Sequence, residues 1–98
     1  MSDSTITQAT DNIFLDLGFS PQEADNLLIR SQLMLALQTQ INHQGWTIEQ
    51  TAQRLGQSRE QIKALTQGKI GQFSVDTLIT MLNQAGMTVK VEIYPKVA

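Results

Sequence analysis

The chain has no cysteine. That removes a disulfide framework, a cysteine-based metal site and a thiol nucleophile, and it fits a reducing cytosol. Histidine occurs once, at His43. A metal site would have to be built from carboxylates alone, and no loop carries the alternating acids this needs. His43 falls near the end of a long helical segment, where it suits the helix dipole better than it suits a base or ligand. Glu49 and Glu60 have no evident partners for acid–base work, and GKIGQF lacks the spacing of a phosphate-cradling loop. No apolar run approaches the roughly 20 residues of a membrane span. The opening MSDSTITQATDN is polar and acidic, unlike a signal peptide. Internal repeats and low-complexity segments are also missing. The expectation is a cytoplasmic non-enzyme with no metal, no cofactor and no membrane contact.

What is present amounts to one domain: 98 residues, 41% of them apolar. The net charge of −2 is unevenly spread. Residues 1–29 hold five acids (Asp3, Asp11, Asp16, Glu23, Asp25) and no base, whereas residues 30–98 hold seven bases and four acids. Four of those bases fall between Arg54 and Lys69, against one acid.

That basic stretch coincides with the most informative segment, TIEQTAQRLGQSREQIKALTQGK, residues 47–69. Thr47 caps a short helix and Gln50, three residues on, caps back. Ala52 is small enough for a close helix crossing. Gly56 ends the helix and takes a turn conformation with positive φ. Ser58 caps a second helix, whose Ile62 and Leu65 point back at Leu55 and Ala52. Arg59, Glu60, Lys63, Ala64 and Gln67 are left facing outward. Two short helices about a tight glycine turn are a helix-turn-helix, and the outward face of the second helix is the one that enters the major groove of double-stranded DNA. Arg59 and Lys63 are the expected readers of base edges, Arg59 in bidentate fashion on guanine. Gln57 and Ser58 would touch phosphate or a base, with Gln61 and Gln67 nearby. Arg54 and Lys69 would grip backbone phosphates, and Thr47 completes the set. Glu60 would accept from cytosine or discourage wrong sites.

Around the motif, glycines 18, 45, 56, 68 and 86 each follow an apolar-patterned segment, as C-terminal caps do. Five helices are predicted. The first spans about 11–17, with Ile13, Phe14 and Leu17 as its apolar side. The second runs from Pro21 to about Gln44, started by Ser20 with Glu23 reaching back. Leu27, Leu28, Met34, Leu35 and Ile41 form its stripe, widened by Leu33 and Leu37. Trp46 reads as a core plug, and residues 69–73 as a loop. A last helix over 75–85, capped by Ser74, buries Val75, Leu78, Ile79, Leu82 and Ala85.

The period then changes. Thr88 to Tyr94 alternates, with Val89, Val91 and Ile93 on one face, and Pro95 stops the run. A lone strand cannot satisfy its own backbone. Two copies paired antiparallel about Val91 would set Lys90 opposite Glu92 of the mate, a self-complementary homodimer ribbon. Pairing with residues 4–8 is the alternative.

The motif segment with its continuation to Pro95 resembles the XRE family, the Cro and phage-repressor-like helix-turn-helix proteins. NIFLDLGFSPQEADNLLIRSQLMLAL, GKIGQFSVDTL and TVKVEIYP narrow the resemblance to a branch similar to HigA-type antitoxins, over roughly residues 12–95. The acidic Glu60 and small Ala64 depart from that family's commoner polar choices. The resemblance implies an all-α, five-helix, lambda-repressor-like helix-turn-helix domain over 11–87. An acidic flexible arm, 1–10, would precede it, and a C-terminal strand, 88–98, would pair across a dimer. It also implies a repressor seated on a near-palindromic operator. In the antitoxin use, a RelE-like ribonuclease toxin is the partner, held by the arm and residues 11–30. The alternative is a stand-alone XRE-type regulator without a toxin.

Overall fold

The computed structural model describes residues 12–96. Five α-helices follow in order: α1 Ile13–Asp16, α2 Pro21–Gln44, α3 Ile48–Leu55, α4 Arg59–Thr66 and α5 Val75–Gln84, with a 3-10 turn at Ile70–Gln72 before α5. The expected arm, 1–10, and the alternative strand at 4–8 lie outside the described residues.

Local chemistry starts each helix. The Asn12 side-chain oxygen accepts from the Phe14 N–H at the head of α1 (3.0 Å). Ser20 accepts from the Glu23 N–H and donates its hydroxyl to the Glu23 carboxylate, with Pro21 at the first helical position of α2. Thr47 and Gln50 close a full capping box on α3. Ser58 accepts from Gln61 N–H on α4, and Ser74 from Thr77 N–H on α5. The long α2 ends at Gly45, in the left-handed region at φ 71°.

α2 is the spine. It packs along α5, and α1 lies against its N-terminal half. Leu33, Met34, Leu37 and Ile41 of α2 join Leu55, Ile62, Ala64, Leu65, Phe73, Leu78, Met81, Leu82 and Ala85 in one core. Leu37, Leu55, Leu65, Leu78 and Met81 are fully buried, each contributing about 1.5–3 kcal/mol of apolar burial. Trp46, Ile48, Ala52 and Val75 are half-buried against this cluster. Side chains of the spine also bond carbonyls of the other elements. Gln38 Nε2 donates to the Leu65 carbonyl (2.7 Å), Gln40 Nε2 to the Ala85 carbonyl (3.1 Å) and Arg30 Nη1 to the Ile70 carbonyl (3.1 Å).

Three expectations change here. Leu35 is not part of the buried stripe; it is 63% exposed. At about 100° per residue it lies about 160° around α2 from Leu37, on the far side from the core. On α1, Ile13 and Leu17 are exposed and only Phe14 is half-buried, its ring edge-on to Phe19. Four helical residues are too few to cover two faces.

The third concerns the tail. Residues 87–96 form no strand, and among the described residues there is none. Backbone ladder bonds need a second strand, and among the described residues none lies beside this segment. Of the predicted pairing residues, Val89 packs against the chain's own core, while Lys90, Val91, Glu92 and Ile93 are exposed. Tyr94 donates its hydroxyl to the Glu92 carboxylate (2.6 Å), and that negative partner raises the phenol above its ordinary pKa.

Candidate nucleic-acid interface

α3 and α4 are joined by Gly56, Gln57 and Ser58. Gly56 sits at φ 63°, and the Gln57 N–H donates back to the Ala52 carbonyl (3.0 Å). No atom lies within 4 Å of where a Cβ at Gly56 would stand, so backbone conformation rather than crowding requires glycine there. Thr51 is completely buried on the inner side of α3, its hydroxyl satisfied by the Thr47 carbonyl (2.7 Å). Ile62 and Leu65 of α4 face the core, as their spacing predicts.

The opposite face of α4 is open. Arg59, Glu60, Gln61, Lys63 and Gln67 are exposed, and so are Ser58, Lys69, Arg54 and Thr47; Gln57 is half-buried. Arg59, Lys63 and Gln67 stand four residues apart and so form one row, with Glu60 beside it. Ala64 is the exception. It was expected to face outward and is buried at 7% exposure. The chain reverses at Gly68, the Lys69 N–H donates to the Ala64 carbonyl (3.1 Å), and Ile70 packs on the cluster that contains Ala64. The reversal extends the covered side of α4 to a third residue.

Two of the cations have partners within the chain. The Arg54 guanidinium lies over the Trp46 ring, 4.9 Å from its centre. Gln50, Gln53 and Arg54 line a shallow depression of about 440 Å³ on the outer side of α3. Arg59 forms an ion pair with Glu49 of α3, Nη1 to Oε2 at 3.5 Å. Glu49, Gln50 and Gln53 were not singled out as interface residues in the sequence. Gln50 and Gln53 share the outer side of α3 with Arg54 through spacings of three and four, a signal that was available. The Glu49–Arg59 pair spans ten positions and two helices, so no within-helix rule points to it.

The family model described as a helix-turn-helix domain matches residues 13–94. This chain belongs to that family. No curated protein matches it. The helix-turn-helix domain accounts for the arrangement: α3 is its first motif helix, α4 the second, and the exposed row on α4 holds the position from which such domains address DNA. Among the described residues of the domain, no helix is long and apolar enough to cross a membrane.

Proposed function

We propose that this helix-turn-helix domain is a sequence-specific DNA-binding repressor of the XRE type, and that it is the antitoxin of a type II toxin–antitoxin pair that autoregulates its own operon in a bacterial cytoplasm. The exposed α4 row, Arg59–Lys63–Gln67, flanked by Arg54 and Lys69, carries the DNA half of this reading. Arg59 and Lys63 would reach guanine acceptors, while Gln57, Ser58, Gln61 and Thr47 contact the phosphates or flanking bases. Repression is by occlusion of the promoter. Four cations near one face are few, so useful affinity requires two domains on one operator. The homodimer forms through an antiparallel ribbon of residues 89–93, with half-sites about one helical turn apart.

The partner half rests on the HigA-like resemblance and on one feature of the surface. Ile13, Leu15, Leu17 and Phe19 are all at least 41% exposed, in the stretch of chain that also carries the exposed acids Asp16, Glu23 and Asp25. Exposed apolar side chains in an acidic stretch of chain suit a basic RelE-like toxin, which opposite charge would steer to it. A stand-alone XRE-type regulator uses the same α4 face without these side chains.

Fluorescence anisotropy on DNA from just upstream of the gene, at two salt concentrations, tests the repressor half. Wild type should bind tightly and lose affinity steeply with salt, and Arg59→Ala/Lys63→Ala should abolish the preference. Equal binding to random DNA would reject sequence-specific repression. Co-expression with the neighbouring gene product separates antitoxin from stand-alone regulator.

A further inference from the structure

Among the described residues, Glu49 is the one acid that the fold brings against a candidate base-reading side chain from another helix. We infer that Glu49 is a specificity-determining positioning residue: by holding the Arg59 guanidinium, it suppresses attachment to arbitrary phosphates and leaves Arg59 aimed at a base edge. The inference rests on the DNA-binding reading given above.

Arg59 is the first residue of α4. A cation there faces the positive end of the helix dipole, an unfavourable place that a neighbouring carboxylate relieves. Glu49, in the first turn of α3, supplies that carboxylate across the turn at 3.5 Å. The Glu49 carboxylate has no other recorded hydrogen bond or ion pair among the described residues. Both side chains are more than half exposed, so the pair adds little to folding and both groups remain open to a ligand.

DNA presents two competing acceptors to such an arginine. A phosphate is a monoanion that any sequence offers, and it must displace or sit beside Glu49, at a repulsive cost. The O6 and N7 of guanine are neutral acceptors, and they can engage guanidinium N–H groups that Glu49 leaves free. Glu49 therefore penalises the sequence-independent contact more than the sequence-dependent one. Discrimination gains at the expense of total affinity, by placing a repulsive element against the wrong contact.

The test is a double-mutant cycle on two duplexes. One is selected by wild type from a random-sequence pool, and the other is a scramble of it. Glu49→Gln keeps the shape of an exposed side chain and removes only its charge. Expected at low salt is an approximately five-fold gain on the scrambled duplex, the size of one exposed ion pair. The salt dependence there should steepen by about one phosphate contact. The gain on the selected duplex should be smaller, so the ratio between them falls. In an Arg59→Ala background, Glu49→Gln should change both duplexes equally. Equal gains on both duplexes in both backgrounds would show Glu49 to be a bare charge and overturn the inference while leaving DNA binding intact. No effect of Glu49→Gln would overturn it likewise. If wild type enriches no sequence from the pool, the DNA-binding reading itself fails, and the inference with it.

Discussion

Single residues in this domain often serve two neighbours. Thr51 is fully buried, yet its hydroxyl and its amide both donate to the Thr47 carbonyl, so the same residue that caps α3 also receives its first turn. Arg54 lies over Trp46. A guanidinium over an indole at an accessible site contributes about 0.5–1 kcal/mol. Arg54→Ala should lower unfolding stability by that amount in a urea titration followed by Trp46 fluorescence, whereas Arg54→Lys should retain part of it. A phosphate reaching Arg54 would find its guanidinium already stacked on the ring, so less side-chain freedom is lost on binding. Glu49 and Arg59 make the same point with charge.

At the scale of elements, what was legible in the sequence is what depends on three or four consecutive residues. The caps Ser20, Thr47, Ser58 and Ser74, the proline at the head of α2 and the left-handed Gly56 all appear where the sequence predicts them. Their bonds close within one turn and require nothing from afar. Gly56→Ala introduces no clash, since the space is open, and it still forces an L-residue to φ 63°. It should cost about 1–2 kcal/mol and lower the melting temperature, measurable by circular dichroism. Less legible were the features that depend on which element lies opposite. Leu35 and Ala64 exchanged their expected places because burial follows the partner surface, not hydrophobicity alone. Gln38, Gln40 and Arg30 bond carbonyls 27 to 45 positions away, and nothing in their neighbourhoods announces it. The alternation from Thr88 to Tyr94 was also visible, but a strand is a relation between two segments, and the described residues supply only one of them.

For the whole molecule, that segment is the one on which the proposed homodimer depends. Val91 and Ile93 are 67% and 89% exposed, and the backbone of this stretch has no ladder partner among the described residues. Val91→Pro removes one N–H from the centre of the proposed ribbon at an exposed position and leaves the packing of Val89 on the core in place. Wild type should sediment as a dimer and Val91→Pro as a monomer with unchanged helical circular dichroism; a dimer in both would reject the ribbon. The candidate site was more legible than the assembly. Its basic row lies on one helix of eight residues, where periodicity alone sorts outside from inside.

α4 is fastened from behind. Ile62, Ala64 and Leu65 lie in the core, and Gln38 donates to the Leu65 carbonyl near its last turn. On its front, the exposed side chains of Glu60, Lys63 and Gln67 make no hydrogen bond or ion pair among the described residues. Selection acting on those front positions therefore meets almost no resistance from the scaffold. A lineage can rewrite them one at a time, changing what this face presents to DNA, while the architecture that carries them remains unchanged.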